Sequence, residues 1–576
     1  MLNILQGERY LWLLPNYDQS SVLKIASSYN LSLPICQALF MRGISTAEQV
    51  NSFLFSSYEK DVAHSSQMKD CSKAVERILR SVEKEEKILI FGDYDVDGIT
   101  SSAMMMICLP EIGAKVNFFL PNRARDGYGL STKIVRKAAE NGYNLIITVD
   151  NGITAFEPAK EAKKLDIDLI ITDHHRQQDL IPDAFAIVNP NQLDCSYPFK
   201  HLAGVGVTFK LLSLLYEKLD RKLPSKVYEL LLLGTIADVV PLVGENRFWV
   251  RHGLHYVNKV ESLSLKVLKQ NGKISKTKIG SLDVGFSIAP QINALGRLED
   301  PRQGVKFLIG SDNKEVEHVG TVLLELNNAR KQIEKSIFQE IDLQIKSNQI
   351  DLSKEKIIMA ASDNWPTGVI GLVASRFVGE YGLPTLLFHL TKDGMAKGSC
   401  RSIGGFNIFD ALNESKDLLE KFGGHSQAAG LSLKAENLPI LKERLEQSIS
   451  TKLSDFDLKQ KLNLEAEIKL MDLNNKFISD LEHLEPFGHK NERPYFYIKD
   501  VVLVQKPLLL KDVHIKCYIF ADGIIKPVMF FNSLDLFEKL SSIGEESFDL
   551  AAQVTENHWN GKTNVELLGL DVYFKH

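Results

Sequence analysis

The segment Phe91-Gly-Asp-Tyr-Asp-Val-Asp-Gly-Ile-Thr100 sets three carboxylates, Asp93, Asp95 and Asp97, at alternate positions directly after a run of apolar residues. Alternation along extended chain puts such side chains on one side. Three carboxylates so close repel one another strongly unless a cation neutralises them. A solvated acidic turn, or a calcium loop of the D-x-D-x-D-G kind, would use the same letters. The calcium loop, however, needs a downstream glutamate that is not in place, and it does not follow a buried strand.

Three more apolar runs end on ligating residues. Leu145–Val149 ends at Asp150-Asn151-Gly152, Leu169–Thr172 ends at Asp173-His174-His175, and Leu231–Ala237, read as a further strand end, leads into Asp238. In an open parallel sheet the carboxyl ends of the strands share one edge, where ligands bind, so these residues are expected to converge. For the paired histidines a structural hydrogen-bonding role is the alternative. Because neighbours on extended chain face opposite ways, one can ligate while the other turns toward a substrate. Imidazole and carboxylate ligands without cysteine suit Mn²⁺ or Mg²⁺, imidazole favouring Mn²⁺. Two such ions about 3.5–4 Å apart would generate hydroxide and clamp a phosphorus between attacking and leaving oxygens. Neither a Walker loop nor a GxSxG elbow is present. The chemistry expected is metal-assisted phosphoester hydrolysis.

The elements that must position these residues can be read from periodicity. The apolar runs Ile88–Phe91, Val116–Leu120, Leu145–Val149, Leu169–Thr172 and Ala186–Val188, with a helical segment Phe156–Leu165 between the third and fourth, predict βαβ units and a buried parallel sheet. From Lys314 to Lys346 apolar residues step by three or four over about nine helical turns. This is read as a helix connecting two lobes, since a second α/β texture starts at Lys356 and runs to about Ile449. From about Leu462 short alternating strands with Gly, Asn and Asp turns suggest a small β-barrel of the kind that binds oligonucleotides. The expected division is an N-terminal segment 1–70, a catalytic parallel-sheet domain 71–310, the connecting helix 311–348, a second α/β domain 349–453 and an OB-like barrel 454–576.

Composition bounds the rest. A chain of 576 residues is too long for one core. Acidic residues outnumber basic ones by 73 to 68, a net charge of −5, so bulk charge gives no nucleic-acid footprint, although a local groove can still be positive. The six cysteines are far apart with no CxxC pair, which reads as buried thiols of a reducing compartment. The first residues do not read as a signal peptide, and no apolar run reaches the roughly 18–20 residues of a membrane helix. The expectation is a soluble, cytoplasmic protein with no membrane partner.

Gly92-Asp-Tyr-Asp-Val-Asp-Gly98, the Thr148-Val-Asp-Asn-Gly152 that holds Asp150, Asp173-His174-His175 and Ile236-Ala-Asp238 together resemble the four motifs of the DHH phosphoesterase superfamily. Within it the chain resembles the RecJ family of single-strand-specific 5′→3′ DNA exonucleases over nearly its whole length. Further matching pieces are Arg123-Ala-Arg-Asp-Gly-Tyr-Gly129, Leu202-Ala-Gly-Val-Gly-Val207, Ile292-Asn-Ala-Leu-Gly-Arg297, Leu326-Asn-Asn-Ala-Arg-Lys331, Ser399-Cys-Arg-Ser402 and Gly423-Gly-His-Ser-Gln-Ala-Ala-Gly430. The last belongs to the DHH-associated substrate domain.

The resemblance implies a DHH catalytic domain, a DHH-associated domain and an OB-like domain. It implies Asp95, Asp97, Asp150, His174 and Asp238 as ligands of two divalent cations, Mn²⁺ or Mg²⁺, with Asp150 bridging and Asp93 joining or supporting the shell. It gives His175 the substrate phosphate, Asp173 the orientation of its neighbour, and Arg297, Arg401 and His425 phosphate contacts. It further implies single-stranded DNA as substrate, 5′-mononucleotides as products and a role in DNA repair and recombination. A helicase and a single-strand-binding protein are the partners expected, and the chain is expected to be a monomer. The alternatives are a DHH phosphodiesterase of short RNA or cyclic dinucleotides, and a non-catalytic single-strand-binding scaffold, which should have lost ligands that are all present here. Two departures stand out. Pro486-Phe-Gly-His-Lys-Asn491 has Lys490 where relatives commonly carry a second glycine, and Cys400 replaces a common alanine.

Overall fold

The structure, a computed structural model, describes residues 4–122, 127, 129–310, 312–559 and 562–575. Arg123-Ala-Arg-Asp126 and Tyr128 of the matching pieces lie outside the described residues. The chain divides into two compact units. One comprises Ile44–Asn327 and Leu481–Arg493; the other comprises the chain through Gly43, Asn328–Asp480 and Pro494 onward.

The first unit is built on a sheet of five strands, β1 (Lys87–Gly92), β2 (Lys115–Phe119), β3 (Tyr143–Val149), β4 (Asp168–Thr172) and β5 (Ala186–Val188). All its pairings are parallel, in the spatial order β2-β1-β3-β4-β5. β1, β3 and β4 are buried nearly end to end, as strands covered on both faces by helices must be. In this strand order the direction of winding reverses between β1 and β3, and the crevice beyond their carboxyl ends is where ligands of such sheets bind. Asp93 and Asp150 stand directly after those two strands. Helix α1 (Val96–Glu111) follows β1, and α2 (Gly204–Lys218), α3 (Val227–Ala237) and α4 (Ala289–Leu298) complete the scaffold. The run before Asp238 is thus a helix and not a strand: α3 is buried on most sides, and an all-apolar run of that length carries no period to separate the two.

A single helix, α5 (Asn313–Lys346), continues from one unit into the other. Val316, Val319 and Leu323 join the core of the first unit, while Ile337, Phe338 and Ile341 join a core of the second. Its stripe therefore serves two cores in turn.

The second unit holds a mixed sheet of β6 (Ile358–Ser362), β7 (Thr385–Leu390), β8 (Met395–Arg401), β9 (Leu419–His425) and β10 (Ala428–Lys434), in the order β9-β10-β8-β7-β6, with only β6–β7 parallel. The same unit carries the C-terminal barrel of β11 (Phe496–Leu503), β12 (His514–Ala521), β13 (Ile524–Phe530), β14 (Phe548–Trp559) and β15 (Lys562–Phe574). Pairing of β11 with β12 closes the ring β11-β14-β15-β13-β12, so the α/β fold class with a terminal five-stranded barrel matches the expectation. Phe496 and Tyr497, aromatic residues at the start of the barrel, are core. Strand Ile4–Gln6 pairs with Leu11–Leu13, which on its other side pairs with Lys461–Asn463. Trp12, wholly buried, donates from Nε1 to Asp571 Oδ2 at 2.8 Å, tying the N-terminal hairpin to the barrel.

Candidate metal centre and phosphate contacts

The crevice past β1 and β3 gathers the acidic residues through ordinary local geometry. Asp95 is the N-cap of α1, its Oδ1 accepting from Gly98 N at 3.1 Å, as a short acidic side chain at a helix start does. Gly98 is required there: a Cβ would lie 2.5 Å from the Asp93 carbonyl oxygen. Asp97, buried in the first turn, accepts from Gly204 N at 2.6 Å and Val205 N at 2.7 Å, so the start of α2 grips its carboxylate. Each of its oxygens keeps a further lone pair.

Asp150 lies 2% exposed at φ 61, a left-handed conformation that an aspartate adopts at a cost. Its Oδ1 is buried and accepts no hydrogen bond. Gly204 makes room for it, since a Cβ there would come within 2.6 Å of that oxygen. His174 Nε2 stands 3.3 Å from Asp150 Oδ1, 3.5 Å from Asp238 Oδ2 and 3.9 Å from Asp97 Oδ2. The ligand atoms of Asp93, Asp95 and Asp150, of Asp97, His174 and Asp238, and of Asp150, His174 and His175 fall in three groups, each within 4.8 Å. Asp150 belongs to two of these groups, which is where a bridging carboxylate would sit.

The electrostatics agree. Burial, with Asp95 beside it, lifts Asp97 to about 7, although the Val205 and Gly204 amides pull the other way. Burial and then the surrounding carboxylates, Asp97 foremost, hold Asp150 and Asp238 well above the usual range. A buried carboxylate oxygen with no donor, among acids that resist ionisation together, is a cradle for cations. The donor set of oxygen and imidazole fits Mn²⁺ or Mg²⁺.

Asp173 serves differently. It is buried, and its Oδ1 accepts from His174 N at 2.7 Å, His175 N at 3.0 Å and His175 Nδ1 at 2.7 Å, while Oδ2 accepts from Ile153 N at 2.9 Å. Burial raises its pKa, but the His175 hydrogen bond and charge bring it below the usual range. Burial likewise lowers His175, and the Asp173 bond outweighs it, pushing the ring up to about 9. Both shifts favour a charged pair, with His175 Nδ1–H directed at Asp173.

Sequence reasoning missed the residues that fix this loop. Asn189 and Asn191 donate through Nδ2 to the carbonyls of His175 at 2.9 Å and His174 at 2.5 Å. The Asn-Pro-Asn that follows β5 was the available signal.

Of the three expected phosphate contacts, Arg297 is in the last turn of α4, whose Gly296 would meet the Tyr94 carbonyl oxygen at 2.3 Å if it carried a Cβ. It therefore borders the acidic loop. Arg401 and His425 lie in the second unit, both opposite Ala428: β8 pairs Arg401 with Ala428, and β9 pairs His425 with it from the other side. Cross-strand neighbours project from the same face of a sheet, so the register brings this arginine and histidine together. Arg401 Nη1 donates to Ser399 Oγ at 3.1 Å and to the Cys400 carbonyl at 2.8 Å. On the barrel, β12 turns His514, Lys516, Tyr518 and Phe520 outward while Ile515, Cys517 and Ile519 are buried, and Lys516 Nζ sits 5.6 Å from the Tyr518 ring centre. A strip of aromatic and basic side chains is a sequence-tolerant surface for bases and phosphates.

Comparison with known proteins adds independent findings. The DHH family N-terminal domain matches residues 87–235, the DHHA1 domain residues 354–451 and the RecJ OB domain residues 464–571. The single-stranded-DNA-specific exonuclease RecJ of Bacillus subtilis is 35% identical over 97% of this chain and 70% of its own length. That of Escherichia coli is 31% identical, over 80% of this chain and 83% of its own. The crystal structure of RecJ in complex with Mn²⁺ from Thermus thermophilus superposes with a TM-score of 0.84 at 25% identity, covering 98% of this chain and 80% of that one. No helix among the described residues is long and apolar enough to cross a membrane.

Proposed function

The chain belongs to the RecJ family of DHH phosphoesterases, and from that premise we propose that it is a single-stranded-DNA-specific exonuclease, hydrolysing from the 5′ end and releasing 5′-mononucleotides in DNA repair and recombination. The observation that carries the reading is Asp150 Oδ1, buried without a hydrogen bond at the meeting point of two ligand groups.

Asp95, Asp97, Asp150, His174 and Asp238 would hold two divalent cations, with Asp93 completing or supporting the set. When bound, Mn²⁺ or Mg²⁺ there supplies an activated water and positive charge for phosphodiester hydrolysis. The chain's own part is to place the substrate and protons. His175 keeps its Nδ1 proton on Asp173, which leaves Nε2–H to donate to a non-bridging phosphate oxygen as charge builds on it. Asp173 stays ionised to hold that ring in one orientation. Arg297 and Arg401, with their forked donors, and His425 would grip backbone phosphates. The outward face of β12 would hold nucleotides by stacking.

The reading extends to a cytoplasmic monomer working with a helicase and a single-strand-binding protein. A substrate panel in Mn²⁺ tests the function. Mononucleotide release from single-stranded DNA, with duplex DNA, short RNA and cyclic dinucleotides poor by comparison, supports it. Preference for a cyclic dinucleotide overturns it, and binding of single strands without turnover identifies a scaffold.

A further inference from the structure

We propose that Phe286, with Leu282 and Val239, forms an apolar platform beside the metal centre on which a nucleobase of the single strand stacks, close to its scissile end; this rests on the exonuclease reading above.

Phe286 is 79% exposed, Val239 64% and Leu282 40%. A single exposed apolar residue needs no explanation, but a group on adjoining segments does. The two segments meet at one contact. Phe286 belongs to a π-helical turn, Val284–Ile288, and the preceding Gly285 abuts α3 so closely that a Cβ on it would lie 3.4 Å from Ile236 Cγ2. Ile236 is two residues before Asp238, so with 3.8 Å for each residue step and the Gly285–Ile236 contact added, the backbone of Phe286 is held within roughly 20 Å of that of Asp238, a span of a few nucleotides.

The backbone on both segments is unusual. π turns are rare and concentrate at functional sites. Val239, which follows Asp238, has φ 58, a conformation that a β-branched residue adopts only under constraint. The constraint leaves a valine in solvent next to Asp238 when no core gains from it. α4 starts directly after the π turn and carries Arg297 in its last turn, so Phe286 and the proposed phosphate contact lie on consecutive helical turns of one chain segment.

The chemistry suits the ligand. The centre is strongly acidic and the chain's net charge is −5, so a grip on DNA near the acids that works through the neutral base faces avoids the charge conflict. Stacking on an aromatic ring is tolerant of sequence, as a processive exonuclease requires.

The test combines Phe286→Ala and Phe286→Trp with single-stranded oligonucleotides carrying one abasic site at each of the first four positions from the 5′ end. Phe286→Ala should lower kcat/KM about 5- to 100-fold with unchanged melting temperature, and Phe286→Trp should restore it. At one position the abasic site should cost the unsubstituted chain a similar factor and cost Phe286→Ala nothing more. The proposal is overturned if Phe286→Ala matches the unsubstituted chain, or if its loss multiplies with the abasic loss at every position. If the unsubstituted chain hydrolyses no single-stranded DNA at all, the exonuclease reading falls with it.

Discussion

His174 Nε2 lies 3.3 Å from Asp150 Oδ1 although the two residues come from different strands, each placed by the turn that ends its strand. β3 and β4 are neighbours in register, Val149 opposite Thr172, so the residue two beyond Thr172 meets the residue one beyond Val149. The centre is a consequence of sheet register.

Asp150, Asp238 and Asp97 are all raised in the folded chain. A carboxylate with a raised folded pKa favours folding most below its unfolded pKa, near 4, and that advantage is lost as pH climbs through the folded value. The metal-free protein should therefore lose melting temperature between about pH 5.5 and pH 8, and the gain on adding Mn²⁺ should widen over the same interval. Calorimetry with and without chelator checks both. A flat difference would show that the acids are not the binding groups.

Gly204→Ala should displace Asp150 from the centre. Alanine is favoured over glycine inside a helix by about 1 kcal/mol, but here its Cβ meets Asp150 Oδ1 and Cγ. Melting temperature without metal should fall as Asp150 is pushed aside, and Mn²⁺ affinity, read by titration calorimetry, and turnover should each fall by at least about tenfold.

Asp173→Asn should act through His175. Losing the carboxylate removes the main influence that offsets burial, so the imidazole pKa should fall from about 9, with only Asp238 and Asp93 still raising it. The alkaline limb of the pH–rate profile should move down, with turnover at about pH 8 reduced 10- to 100-fold. Metal stoichiometry should be unchanged, and its loss would instead make Asp173 a ligand.

Lys490 has φ 61, the left-handed geometry that glycine adopts freely and that costs other residues about 1 kcal/mol or more. The flanking segment is anchored: Arg247 donates to the carbonyls of His483 and Leu484, and Leu242 N to that of His489. Lys490→Gly should thus stabilise by about 1 kcal/mol, seen as reduced proteolysis of the native chain, with turnover unaffected.

What the sequence makes legible is local. Asp93, Asp95 and Asp97 follow an apolar strand within a few residues, and strand ends in parallel sheets share an edge, so convergence with Asp150 and His174 could be argued from pattern. The Asp97 hold on Gly204 and Val205, across 107 and 108 residues, leaves no local trace. The same is true of Leu481–Arg493, which joins the first unit although its neighbours on both sides belong to the second. Leu231–Ala237 misled because an all-apolar run reads alike as strand or helix. Arg401 and His425 could be named from the motifs, but their common partner Ala428 is a matter of register.

The most direct measurement is mononucleotide release from single-stranded DNA labelled near one end at a time, with Mn²⁺ against chelator, for the unsubstituted chain and Asp150→Ala. Metal-dependent release should begin at the 5′ end and be lost in Asp150→Ala. Release that survives chelator or the Asp150 substitution would contradict it.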